Sequence, residues 1–138
     1  MTCLRAFAGP ILALTLVAAA PVATTFNGIP FGKSEVISGV WFTNFENSRF
    51  LKCSGSDCDN LPLSEWAAIQ GLPGICADLD VKARAASHQW NLNEAPDGGF
   101  NVRFVGRMGL QTYPSRYIGD GQHRVLIERI LEVKKRAD

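Results

Sequence analysis

"EVISGVWFTNF", Glu35 to Phe45, decides how the rest of the chain is read. Its apolar side chains alternate, with Val36, Val40 and Phe42 on one face and Ile37 and Trp41 on the other. A period of two is that of a β-strand, whose successive side chains point to opposite sides. Apolar residues on both faces fit a strand covered on both sides, or one whose second face is partly open. Just downstream, "SRFLKC" at 48–53 has the same β-character, with Phe50 flanked by Arg49 and Lys52. "FNVRFVGRMGL" at 100–110 puts Phe100, Val102 and Phe104 on one face, after the turn signal "NEAPDGG" at 93–99.

Three further segments are less one-sided. In "PLSEWAAIQGLPG" at 62–74, Ser64 can cap a helix, Glu65 sits in its first turn, and Gly71 with Pro73 stops it. This predicts a helix of two turns with Trp66 and Ile69 on its buried side. "ADLDVKARA" at 77–85 sets Leu79, Val81, Ala83 and Ala85 against Asp80, Lys82 and Arg84. Alanine and lysine are poor strand formers, so a helix competes, but the alternation favours a strand. "HRVLIERILEVKKR" at 123–136 reads as a strand with Val125, Ile127, Leu131 and Val133 on one face, interrupted by Arg129. As a helix it would stripe Leu126, Ile130 and Val133; its β-branched residues and the preceding Gly119–Gly121 turn favour the strand. The fold class that follows is mainly β, with α+β as the alternative: a small antiparallel sheet or open barrel carrying one short helix.

The 138 residues divide into an export signal at 1–19, a flexible arm at 20–34 and a single β-rich domain at 35–138. The signal has one charge, Arg5, an apolar core from Ile11 to Val17, and small residues after it for a peptidase. That core falls short of the roughly 20 residues a bilayer span needs, so no membrane span is expected after cleavage. "TTFNGIPFGKSE" at 24–35, with Asn-Gly, Pro and Gly, supplies the arm. The expected location is the periplasm or the secreted space of a bacterial cell envelope.

Beyond Arg5 the basic and acidic residues balance at 13 each. The balance argues against nucleic acid as a partner, because general affinity for it comes from excess lysine and arginine. The charge is unevenly spread, however: residues 25–98 hold 5 basic against 9 acidic, and residues 99–138 hold 8 against 4. Either the two halves complement each other within one domain, or the basic half presents an anion-binding face.

Cys53, Cys58 and Cys76 lie beyond the signal, and an exported chain meets oxidising conditions in which disulfides persist. The spacing of Cys53 and Cys58 is neither that of a zinc clamp nor the C-x-x-C of a redox helix. The intervening "SGSD" is small and turn-forming, and brings two Cα atoms within disulfide reach. A structural Cys53–Cys58 bridge is the first expectation, with Cys76 as the alternative partner of either. No metal and no cofactor is expected.

"TYPSRYIGDGQHR", Thr112 to Arg124, gathers Tyr113, Arg116, Tyr117, His123 and Arg124 into one glycine-rich connection. Aromatic rings and arginine forks on a loop supply contact area and directed donors, the material of a binding patch. Glu46, Ser48 and Arg49 form a second polar group at a strand turn, read here as a structural ion pair or turn hydrogen bond. No catalytic residue is assigned. Neither the nucleophile elbow G-x-S-x-G nor a phosphate-cradling glycine loop occurs. The expected function is therefore non-enzymatic: a binding or accessory module for an unknown protein or small ligand. The alternative is a small thiol-dependent hydrolase or redox protein pairing Cys76 with His88 or His123.

"GVWFTNFENSRFLKC" and "YIGDGQHRVLIERILEV" together resemble a pattern in small exported bacterial proteins of unknown function. Gly39, Phe45, Glu46, Ser48, Phe50 and Cys53 match its first strand; Tyr117, Gly119, Arg124, Val125 and Val133 match its second part. "SGSDC" is an insertion relative to that pattern, and His123 does not stand where the pattern has its histidine. The resemblance implies a small open barrel or curled antiparallel sheet and brings no activity with it.

Overall fold

The computed structural model describes residues 23–44, 48–89, 91, 93–114 and 121–137. The expected signal at 1–19 lies outside the described residues. Within the stretch read as an arm, β1 (Thr24–Phe26) and β2 (Ile29–Phe31) pair as a hairpin. Asn27 and Gly28 turn it with φ of 50° and 76°, the left-handed pair that a two-residue hairpin loop demands. The hairpin is joined to the main body through the Phe31–Gly109 bridge, where Phe31 is fully buried.

The main body is a closed barrel of β3 (Glu35–Thr43), β4 (Ser48–Lys52), β5 (Ala67–Gly71), β6 (Gly98–Met108) and β7 (His123–Lys135). Around the barrel the order is β3-β4-β5-β7-β6, with β6 returning to β3. Neighbours run antiparallel except β5 and β7, which are parallel and register Ala67 with His123 through Gly71 with Ile127. A parallel pair needs a crossover connection, and α1 (Ile75–Ala86) with β6 provides it. The mainly β expectation holds, in a barrel that closes.

The core follows the alternation. Ile37 and Trp41 of β3, Phe50 of β4, Ala67 of β5, Phe100, Val102 and Phe104 of β6, and Val125 and Ile127 of β7 point inward. Trp41 lies 5.4 Å from Phe100 and Phe50 lies 5.1 Å from Phe104, centroid to centroid, within the range of favourable ring pairs. Trp41 also satisfies its one donor, with Nε1 giving a 3.0 Å hydrogen bond to Ser48 Oγ. Gly39 is a close approach: a Cβ there would strike the Leu51 carbonyl and the Phe50 ring, so the strand crossing needs its bare backbone.

Two sequence readings are corrected. Residues 64–70 are not a helix: a single 3₁₀ turn spans Leu63–Glu65, and β5 follows from Ala67. A two-turn helix has little stability of its own, whereas this segment as a strand buries Ala67 and gains a full parallel register on β7. Residues 77–85 are not a strand but lie within α1. Leu79 and Ala83, one helical turn apart, are buried, while Val81 between them is 58% exposed. Ala, Leu, Lys and Arg are all strong helix formers, and that propensity outweighs a short alternation in which two of four apolar positions are alanine.

The reading of 123–136 as a strand is right, with a finer correction to its face. Register shifts of β7 against β6 fall between Arg103 and Phe104 and between Val105 and Gly106. They place Ile130 opposite Phe104 and leave Leu131 40% exposed, so the core face runs Val125, Ile127, Ile130, Val133.

Candidate functional site

Cross-strand register assembles a row of side chains on the outer face of the barrel. Phe42 of β3 pairs with Arg49 of β4, Arg49 with Ala68 of β5, and Ala68 with Arg124 of β7. Partnered residues share a face, and these are offset by one from the inward Trp41, Phe50, Ala67 and Val125. The outer face of β3 is therefore partly open, with Phe42 half-buried there.

Both arginines of the row are stacked. The Arg49 guanidinium lies 5.1 Å from the Phe42 ring centre and 4.7 Å from that of Trp66, which places it against two rings at once. Its Nε is buried and has no hydrogen-bond partner among the described residues. The Arg124 guanidinium lies 5.0 Å from the Tyr113 ring centre, and its Nη1 donates to the carbonyls of His123 at 2.8 Å and Gly121 at 3.1 Å. Gly121 in turn abuts the Trp66 backbone so closely that a Cβ would collide with it, which ties the connection before β7 to the start of β5. Beside Arg124 opens a cavity of about 440 Å³ lined by Asn27, Ile29, Tyr113, Pro114 and Arg124, so the β1–β2 hairpin forms one of its walls.

Of the patch read from the sequence, Tyr113 and Arg124 are thus in contact. His123 is not with them: it alternates onto the other side of β7, and its Nε2 lies 3.9 Å from Glu65 Oε2. Arg116 and Tyr117 lie outside the described residues. Phe42, Arg49 and Trp66 join this surface from outside the patch that the sequence predicts. The signal available for them was the second apolar face of "EVISGVWFTNF" together with an arginine on the next strand, but only the register shows that they meet. Ser48 is taken by Trp41, and Glu46 lies outside the described residues.

The cysteines resolve as expected. Cys53 and Cys58 form a disulfide with Cα atoms 5.2 Å apart, and Cys76 is free and exposed on α1, so it is not the alternative partner. The residue is exposed but its sulfur sits against Gly71; this partial burial, and then the charge of Asp80, push the thiol above its ordinary value, the wrong direction for a nucleophilic thiolate. His88 lies just beyond Ser87, the cap at the far end of α1, about 18 Å away by helical rise. His123 starts β7 beside Ala67, whereas the Cys76 thiol sits beside Gly71 at the other end of β5, about 13 Å along the strand. Neither histidine reaches the thiol.

A second concavity of about 420 Å³ lies beside the disulfide, lined in part by Ser38, Arg103, Glu132 and Arg136. Its charges are largely spent internally: Arg136 pairs with Asp59, and Glu132 with Lys134 at 2.6 Å. Among the described residues no cluster of three or more His, Cys, Asp or Glu could hold a metal ion, and no helix is long and apolar enough to cross a membrane. Comparison of the chain with protein-family models, with curated proteins and with solved structures finds no match.

Proposed function

We propose that this chain is a non-enzymatic binding module of the bacterial cell envelope, taking its ligand on the outer face of β4, β5 and β7. The observation that carries the reading is the row Phe42–Arg49–Ala68–Arg124, in which two ring-stacked arginines flank a small residue on a sheet surface. Rings at their backs hold the forks in place, so little side-chain entropy is lost when a ligand arrives.

Fold-level analogy points the same way. Counted from β3, the barrel order is 1-2-3-5-4, with the third and fifth strands parallel and one helix between the third and fourth. This is the Greek-key order of the oligonucleotide/oligosaccharide-binding barrel, which takes ligands on its second and third strands and on the loops joining strands one to two and four to five. Here those strands are β4 and β5, and the four-to-five connection carries Tyr113. An analogy of fold does not by itself fix a function.

The test is an amide chemical-shift titration of the isotope-labelled chain with a panel of short neutral oligosaccharides, acidic oligosaccharides and oligonucleotides. The expected result is shifts centred on Phe42, Arg49, Ala68 and Arg124 with at least one probe. Shifts confined to the concavity beside the disulfide, or no shifts with the whole panel, overturn the reading.

A further inference from the structure

We infer that the ligand of this face is an acidic oligosaccharide, with Arg49 and Arg124 each taking a carboxylate from sugars two apart along the chain. The inference rests on the reading of the β4–β5–β7 face as the ligand face and goes beyond it by naming the chemistry bound there.

The rings and the forks divide the possibilities. Proteins that hold single-stranded nucleic acid offer aromatic faces on which bases stack. Here Phe42 and Trp66 each turn a face to Arg49, and Tyr113 turns one to Arg124, so the ring surface nearest the row is taken by guanidinium. What the row offers instead is planar N–H groups, whose geometry matches a carboxylate. Arg49 Nε is buried and Arg124 Nη1 is held by the His123 and Gly121 carbonyls, so a carboxylate meets the remaining N–H groups of each fork. Among the described residues the row supplies two stacked cations, and the chain carries a net charge of only +1, little for the counterion release that drives general nucleic-acid binding.

Spacing narrows the ligand. Arg49 and Arg124 stand on strands two apart, with Ala68 between, so their backbones are separated by about 10 Å. Acid groups recur at that interval when a carboxylate projects to the same side from every second sugar of an extended oligosaccharide. The Ala68 methyl leaves the intervening sugar a shallow apolar floor. The cavity of about 440 Å³ next to Arg124 receives the following ring, with Ile29, Pro114 and the Tyr113 ring as apolar wall and the Asn27 amide for hydroxyl groups.

The test uses the full exported chain and three probes: a galacturonic acid tetramer, the same tetramer fully methyl-esterified, and a short oligothymidine. The acid tetramer is expected to shift the amides of Arg49, Ala68 and Arg124, and the ester to bind at least about tenfold more weakly. Arg124→Gln and, separately, Arg49→Lys are each expected to weaken the acid tetramer by about tenfold or more, read on variants whose amide spectrum away from the row matches the parent's. Arg49→Lys keeps the charge and the stem, so it removes the fork without emptying the space between the rings. Equal binding of acid and ester at the row overturns the carboxylate assignment while leaving the ligand face standing, and so does tighter binding of oligothymidine there. A row that none of the three probes shifts overturns the ligand face and the ligand class together.

Discussion

Arg49 sits between two rings because its strand position left it no other exit. Phe50 fills the core, so alternation turns Arg49 outward, where Phe42 from the neighbouring strand and Trp66 from the start of the next flank its stem. A different arginine shows how a charge is fixed when it has a partner. Arg107 Nε donates to Glu128 at 2.6 Å and its Nη1 to the Gly32 carbonyl at 2.9 Å, while the Ser34 hydroxyl donates to the other Glu128 oxygen. Burial pushes the Glu128 carboxyl up, but the hydrogen bonds from Ser34 and Arg107 and the charge of Arg107 prevail and hold it below its ordinary value of 4.5. A lowered folded-state value means that the unfolded chain binds the proton more readily. The stabilisation is therefore complete above the ordinary value and is lost as pH falls through the folded one. Glu128→Gln is expected to cost about 1–2 kcal/mol at neutral pH. It should also flatten the fall in urea midpoint between about pH 6 and pH 3. A variant whose acid limb matches the parent's would remove Glu128 from the account of acid stability.

At the scale of elements, α1 and β5 show where periodicity misleads and what corrects it. Leu79 and Ala83 are consistent with a period of two and equally with one turn of helix; Val81 and Ala85 distinguish the two, and both are exposed. Leu79→Ala is thus expected to cost about 2–5 kcal/mol, as for other buried leucines. Val81→Ala should fall within about 0.5 kcal/mol of neutral or stabilise slightly, since alanine is the better helix former. Denaturant melts of the two variants check this; comparable losses at both positions would mean that Val81 is buried against a sheet. In β5, Ala67 and Ala68 favour a helix by propensity, and a parallel strand more than fifty residues further along the chain decides for the extended state. The strands with aromatic and β-branched alternation, β3 and β6, were legible because burying Trp41, Phe100 and Phe104 on one side leaves no freedom of face. In β7 the same alternation was legible as far as Ile127, and the bulges then moved Ile130 into the place expected for Leu131.

At the scale of the whole molecule, the Cys53–Cys58 bridge is peripheral to the barrel core, none of whose members is a cysteine. A loop this short gains about 2 kcal/mol from closure in the chain-entropy account. Reduction is accordingly expected to lower unfolding stability by about that amount while leaving the barrel's far-ultraviolet dichroism unchanged, as denaturant melts with and without reductant would show. Loss of the fold on reduction would mean that the bridge supports more than its own loop. The uneven charge of the two halves meets in part across the chain, through Arg136 with Asp59, while Arg124 stacks on Tyr113 instead. By itself the sequence determined the β class, favoured the Cys53–Cys58 staple and set Tyr113 and Arg124 close along the chain, since these depend on near neighbours: alternation, five-residue spacing and turn chemistry. Only the tertiary structure decided that β5 is a strand, that His123 leaves the patch, and that Phe42, Arg49, Ala68 and Arg124 form one row. Those outcomes depend on register between strands distant in sequence, where one residue of slip moves a side chain to the opposite face.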